Sequence, residues 1–124
     1  VGWVTALQPE KNLVIGYIWK TAAYPWINIW NQTENQKPVA KGIEFGTTGI
    51  GRPYNQLLRV PARFHGHESY EVLDAGQTVV KKFTGFISRV PENVKAIKKV
   101  ERKNGRIFIY TQNGKTLEPK SQVP

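Results

Sequence analysis

Residues 41–47 read Lys-Gly-Ile-Glu-Phe-Gly-Thr, and their alternating character predicts a β-strand. Successive side chains of a strand point to opposite faces. One face of this strand is apolar and is formed by Ile43, Phe45 and Thr47. The other face is open and is formed by Gly42, Glu44 and Gly46. We expect the apolar face to pack in a core. The open face leaves space beside Glu44 for a small polar ligand, unless the two glycines serve only to form a bulge.

Short apolar stretches between frequent turn residues predict strands along the rest of the chain, which is typical of all-β proteins. We predict turns at 9–12 and 74–76, a polar loop at 32–38, and Asn-Gly turns at 104–105 and 113–114. A short helix at 92–100 is an alternative to part of this pattern, because Val94, Ile97 and Val100 also fit helical spacing. The strands predicted are 3–7, 13–20, 25–31, 40–47, 57–63, 71–73, 77–87, 96–102, 106–111 and 116–118.

These elements predict one β-sandwich domain with a short C-terminal β-meander. Residues 1–90 form the sandwich region, and residues 91–124 form a β-hairpin extension packed on the same domain. The 124 residues suffice for a single domain, and 40% of them are hydrophobic. No apolar run is long enough to span a bilayer, so no membrane partner is expected. Because the chain contains no methionine, we expect a processed protein or a piece of a longer one.

The absence of cysteine excludes disulfides, thiolate zinc sites and cysteine nucleophiles. The formal net charge of +9 is compatible with a nucleic-acid partner. The C-terminal lysines are interleaved with Glu92 and Glu101, however, which favours a solvated basic face over a polyanion site. Phosphate-binding glycine motifs and a nucleophile elbow are also missing from the sequence, and we expect no cofactor.

The predicted strand at 25–31 has Trp26, Asn28 and Trp30 on one face. Indole faces stack on the C–H face of a pyranose, and an amide both donates and accepts hydrogen bonds with hydroxyls. The pattern is typical of a sugar platform. The alternative is burial, since tryptophan is usually mostly buried, and we expect at least one of the two indoles to lie in the core.

Three further side chains are candidates for a site. His65 and His67 form an H-x-H pair that, in extended chain, points both imidazoles the same way and would hold a metal together with Glu68. Because no further histidine or cysteine is present, we expect no metal site and assign His65 to a cleft edge, where it transfers protons. Arg52 is expected at the rim, binding sugar hydroxyls or a carboxylate, with a surface salt bridge as its alternative.

Three segments together resemble the C-terminal part of the galactose mutarotase-like (aldose 1-epimerase) superfamily. They are Pro-Trp-Ile-Asn-Ile-Trp at 25–30, Gly-Ile-Glu-Phe-Gly-Thr-Thr at 42–48, and Leu-Asp-Ala-Gly-Gln-Thr at 73–78, which leads into a strand through Phe86. The resemblance implies a β-supersandwich that binds sugars in the concavity of one sheet. It also implies that Glu44 is the general base on the anomeric hydroxyl of an aldose.

In that family a histidine upstream of this region is the general acid, so the resemblance places it outside this chain. His65 and His67 follow the glutamate strand and do not match it. The chain then corresponds to part of such a domain or to a shortened relative. As a part, it would self-associate or pair with the missing N-terminal half.

The sequence thus predicts a carbohydrate-binding β-sandwich, with an aldose or glycan as partner. Glu44 is its general base or a hydroxyl acceptor, and the enzyme, if the domain turns over, is an isomerase of the aldose 1-epimerase type. The residues expected to bind substrate are Trp26, Asn28, Trp30, Arg52 and His65. The first alternative is a non-catalytic sugar-recognition or structural module of a larger glycan-processing protein. A basic nucleic-acid-binding domain is the less favoured alternative, and the sequence indicates no compartment.

Overall fold

β-Branched and aromatic residues between turns form strands as expected, which confirms the all-β prediction. The computed structural model describes residues 1–49, 53–59 and 63–119. Apart from the strands, these residues form a 3₁₀ turn at Pro9–Lys11 and a one-turn helix α1 at Tyr54–Leu57. The strands are β1 Gly2–Gln8, β2 Leu13–Trp19, β3 Trp26–Glu34, β4 Lys37–Gly46, β5 Arg63–Phe64, β6 His67–Glu68, β7 Phe83–Arg89, β8 Ile97–Lys103, β9 Arg106–Thr111 and β10 Thr116–Leu117.

The chain divides into two compact units. The first comprises residues 1–20 and 83–124, and the second comprises residues 21–82. The expected division into domains at residue 90 is not tested by this grouping and stays a prediction. Across the described ranges there is no helix with the length and apolar character needed to cross a membrane.

The first unit contains two three-stranded antiparallel sheets, in the orders β1-β2-β7 and β10-β9-β8. Both contribute side chains to one buried core, so the unit has the sandwich-like packing that the sequence predicts. The second sheet is the predicted C-terminal meander, and its first turn is at Asn104 and Gly105, which have positive φ. The core residues are Val14, Ile18, Val90, Val94, Val100 and Ile109, with Leu7, Phe86, Ile97, Ile107 and Leu117 packed against them.

A charge cluster lies across β8 and β9. The Glu101 carboxylate accepts hydrogen bonds from Tyr110 Oη at 2.5 Å and forms ion pairs with Lys99 Nζ at 2.6 Å and Lys103 Nζ at 2.8 Å. Bonds from Lys103, Lys99 and Tyr110, in that order, lower the pKa of the Glu101 carboxyl from 4.5 to about 2. The same carboxylate raises the pKa of Lys103 and of Tyr110. The cluster therefore stabilises the fold at every pH at which Glu101 is ionised and Lys103 and Tyr110 keep their protons. This stabilisation is lost in strong acid, where Glu101 is protonated, and in strong alkali, where Lys103 and Tyr110 are deprotonated.

We expect Glu101→Gln to destabilise the protein at neutral pH but not in strong acid. The folded-state pKa is depressed, so the stabilisation by the carboxylate is present above pH 4.5 and is lost as the pH falls toward about 2. Urea denaturation of wild type and variant between pH 2 and 7 measures the difference in the free energy of unfolding. Glu92→Gln, an equal charge change at an exposed position, is the control. A difference that does not shrink on acidification would contradict the assignment.

The second unit is built on two hairpins, β3–β4 and β5–β6. The first is longer than predicted, because residues 32–34 and 37–39 extend its strands and only Asn35 and Gln36 turn, with φ of 49° and 63°. The prediction of a polar loop at 32–38 was therefore wrong. Two residues of positive φ suit a two-residue hairpin turn, and the ladder hydrogen bonds extend the strands despite their polar side chains.

Other predicted elements differ from the structure. Residues 54–59 form α1 and a turn instead of the start of a strand at 57–63, while 60–62 lie outside the described residues. Residues 71–73 form no strand, and the long strand predicted at 77–87 is confirmed only from Phe83. The helix considered at 92–100 does not form, because the chain makes one turn there and then enters β8.

Candidate functional site

The register of the β3–β4 hairpin brings four of the predicted site residues to one face. Residues directly opposite each other in an antiparallel pair share a face of the sheet. Asn28 is opposite Glu44, and each indole is opposite a glycine: Trp26 opposite Gly46 and Trp30 opposite Gly42. We call these six residues the indole face. The two strand patterns that the sequence analysis treated separately thus form one surface.

The two glycines of the indole face differ, because the Trp30 side chain covers Gly42 while Gly46 is open. A Cβ built at Gly42 would lie 3.4 Å from Cε3 of Trp30 and 4.0 Å from Oε1 of Glu44. The indole and the carboxylate therefore flank Gly42 from two sides. A Cβ at Gly46 would approach only the backbone N of Thr48, at 3.9 Å, so this position is open.

The alternative explanation of these glycines as bulge formers is wrong. The one irregularity in the β3–β4 pairing falls between Gln32 and Thr33, near the turn. From Trp26 to Gln32 the register is continuous, and both glycines lie within that stretch. Their small size is therefore not required by a change in register.

Three polar groups of the indole face have no partner within the described part of the chain. They are the carboxylate of Glu44, the carboxamide of Asn28 and the indole N–H of Trp30. Glu44 and Asn28 are exposed, and Trp30 is 49% exposed. The groups are consequently hydrated and available to a ligand.

Trp26 is held more firmly than Trp30. Its Nε1 donates to the carbonyl O of Glu68 at 2.8 Å. The backbone at Gly49 lies against its ring so closely that a Cβ there would overlap the indole, and Gly49 N donates to Ser69 O at 3.0 Å. Ser69 is fully buried, and its hydroxyl finds no acceptor or donor among the described residues. The two indoles thus differ in their contacts although they lie on one face.

The expected core positions of this hairpin are not buried. Trp26 is only partly buried and Trp30 is half-exposed, so the expectation that at least one indole lies in the core was wrong. The opposite, apolar face is no core either, because Ile27 and Ile29 are exposed and Phe45 is half-buried. The reason is that the buried hydrophobic cluster of the described residues is formed within the other unit.

His65 lies in a tight turn, which contradicts the extended H-x-H arrangement. Its φ is 49°, and Gly66 follows with φ of 80°, as a two-residue hairpin turn requires. Among the described residues no three His, Asp or Glu side chains are grouped to hold a metal ion. The two imidazoles are therefore not presented in parallel from one strand, as a shared metal would need. Arg52, the predicted rim residue, lies outside the described residues.

Phe64 joins His65 to the indole face. Its ring lies 5.9 Å from that of Trp26 at 40°, and the His65 ring packs edge-on against it at 4.4 Å. An ion pair between Arg63 Nε and Glu68 Oε1, 2.5 Å long, closes the same hairpin. Phe64 was not predicted as a site residue. The signal that the sequence offers at this position is an aromatic residue directly before a hairpin turn. The hairpin is too short to bury that residue in a core of its own.

Comparisons with family models, with curated proteins and with solved structures find no match. The resemblance to mutarotase-like domains therefore stays an expectation from short motifs. The class of site defined here is an exposed, aromatic-flanked carboxylate and amide on a two-stranded antiparallel hairpin.

Proposed function

We propose that this chain is a carbohydrate-binding all-β domain whose ligand contacts the indole face. The observation that carries the proposal is the hairpin register, which sets two indoles, one amide and one carboxylate on a single exposed face. Aromatic faces stack on the C–H faces of sugars, while amides and carboxylates bond their hydroxyls. This combination of groups suits a sugar better than an apolar or a strongly charged ligand.

Each residue has a defined part in this proposal. Trp30, the more exposed indole, is the stacking surface and packs on Gly42, while Gly46 leaves room on the same face. Glu44 accepts hydrogen bonds from hydroxyls, and Asn28, directly opposite, both donates and accepts. Trp26 supports Phe64, and His65 lies at the outer edge of that aromatic pair.

Binding is better supported than turnover. Anomer exchange needs a base for the anomeric hydroxyl and an acid for the ring oxygen, and the acid contributes about 10²- to 10⁴-fold in rate. In the part of the chain that is described, neither a hydrogen bond nor an ion pair links Glu44 to a histidine. Glu44 is thus proposed as a hydroxyl acceptor, with the general-base role of the mutarotase-like family as a second candidate.

The distribution of charge favours a sugar over a nucleic acid. Lys99 and Lys103 are paired with Glu101, and Arg106 Nη1 lies 3.5 Å from Glu118 Oε1. Glu101 and Glu118 therefore neutralise two of these three positive charges. A nucleic-acid-binding domain would instead bind labelled single-stranded DNA at low salt and lose affinity steeply as salt rises.

A glycan array containing mono- and oligosaccharides tests the proposal. We expect binding by wild type, and a loss of about tenfold in affinity for Glu44→Gln and for Trp30→Ala, since a hydrogen bond to a charged group contributes about 1.5–3 kcal/mol and a stacked aromatic pair about 0.5–1.5 kcal/mol. Glu34→Gln is the matched control, because it makes the same charge change beside the turn of the same hairpin. Failure of wild type to bind any saccharide would overturn the proposal.

Anomer exchange followed by NMR separates the two candidates for Glu44. If Glu44 is only a hydroxyl acceptor, wild type and Glu44→Gln interconvert the anomers of bound aldoses at the same rate as free solution. A wild-type rate well above that of Glu44→Gln would instead establish Glu44 as the general base.

A further inference from the structure

We propose that the indole face takes a linear oligosaccharide of at least three pyranose units, laid along β3, and not a single sugar. This inference deepens the proposed function and rests on it. It follows from the spacing of the aromatic groups along the strand and from what lies between them.

The two indoles are too far apart to serve one sugar ring. Trp26 and Trp30 are four residues apart on β3, which at about 3.4 Å per residue separates their Cα atoms by roughly 13–14 Å. Single bonds of about 1.5 Å make each pyranose unit advance a linear chain by roughly 5 Å. Stacking at both ends therefore spans two to three such steps and needs three to four units.

Each end offers an aromatic surface with its own support. At one end Trp30 lies beside Gly42 and is 49% exposed. At the other end Phe64 is 56% exposed and packs on Trp26, which is fixed by its bond to the Glu68 carbonyl. The exposed surface at the second end is thus that of Phe64 backed by Trp26.

The space between the two aromatic ends is polar. Asn28 and Glu44 are directly opposite each other midway between them, and their side chains have no partner in the described ranges. A central sugar would place its hydroxyls on this pair while its neighbours stack at the ends. The carboxylate would repel an acidic sugar, so the ligand class is a neutral chain.

The neutral chains that fit best are gluco-configured and β-1,4-linked. All-equatorial hydroxyls leave both faces of each ring apolar, and the linkage keeps successive rings extended in one direction. Such a chain presents C–H faces to the aromatic ends and hydroxyl edges to the amide and carboxylate.

Isothermal titration of the whole chain with glucose and its β-1,4-linked di-, tri- and tetrasaccharides tests the inference. We expect Kd to fall at least tenfold from one unit to four, with most of the gain at the third and fourth units. Trp30→Ala should remove most of that gain. Ile29→Ala, a neighbouring position on the opposite face of β3 with similar exposure, should keep it.

The outcomes separate this inference from the proposed function. Equal affinity for glucose and the tetrasaccharide overturns the inference and leaves sugar binding intact. A gain with length that persists in Trp30→Ala overturns the placement along β3. No binding at any length, together with a negative glycan array, removes both proposals.

Discussion

Ile109→Ala is expected to lower the free energy of unfolding by about 2–5 kcal/mol, because it removes three methyl or methylene groups from a fully buried position. Ile109 is 0% exposed and lies in β9, the central strand of its sheet. It is opposite Val100 on β8 and Leu117 on β10, and all three residues belong to or pack on the buried cluster. Strands on both sides hold the backbone, so the cavity cannot close by a small shift of one edge.

The matched control is Ile87→Ala, which makes the same chemical change on β7. Ile87 is 62% exposed, and its side chain is on the face of its sheet opposite the core. Its loss should change the free energy of unfolding by about 0.5 kcal/mol or less. Urea denaturation monitored by tryptophan fluorescence measures both. Equal destabilisation by the two variants would contradict the assigned core.

Strand faces were the part of the fold that the sequence predicted best. Alternation separated Gly42, Glu44 and Gly46 from their apolar neighbours, and the pairing with β3 confirms that grouping. Alternation within a strand carries no information about the partner strand, however. The register that sets Glu44 opposite Asn28 depends on the turn at Asn35 and Gln36, which lay inside a stretch predicted to be loop. The polar side chains around that turn gave no periodic signal.

The start of β7 shows a second limit of the sequence pattern. The stretch from Gln77 to Ile87 is rich in β-branched residues, yet the strand begins only at Phe83. Phe83 pairs with Trp19, the last residue of β2, so the partner strand is absent before that point. Strand propensity describes a residue's fit to a sheet, and a sheet exists only where a neighbouring strand supplies hydrogen bonds.

The candidate site was predicted in its polar centre and missed at one end. Asn28, Glu44 and Trp30 follow from strand alternation alone. The support of Trp26 comes from Glu68, 42 residues later in the chain, and from Phe64 in the same hairpin. Such long-range contacts leave no local pattern. His65 is in a turn and not on an extended strand with His67 because it and Gly66 adopt positive φ, and its ring packs on Phe64.

Gly16→Ala is expected to destabilise the protein by about 1–3 kcal/mol, as overpacking of a core does. Gly16 lies opposite Phe86 on the inner face of the β1-β2-β7 sheet, and the Phe86 ring covers it. A Cβ at Gly16 would come within 2.6 Å of Cε1 of that ring, closer than non-bonded carbon atoms tolerate. The ring packs against the buried cluster, so moving it away disturbs the core.

Gly85→Ala isolates this overlap from the general effects of replacing glycine. Both glycines are in paired strands of one sheet, so alanine removes similar freedom from the unfolded chain in both variants. A Cβ at Gly85 would lie 3.4 Å from Cε1 of Tyr17, on the opposite face of the sheet, where a small shift of the Tyr17 ring relieves the contact. We therefore expect Gly85→Ala to be close to neutral in urea denaturation while Gly16→Ala loses stability. If both variants were equally stable, the Phe86 ring would not need the space at Gly16. The presence of glycine under that ring would then require another explanation.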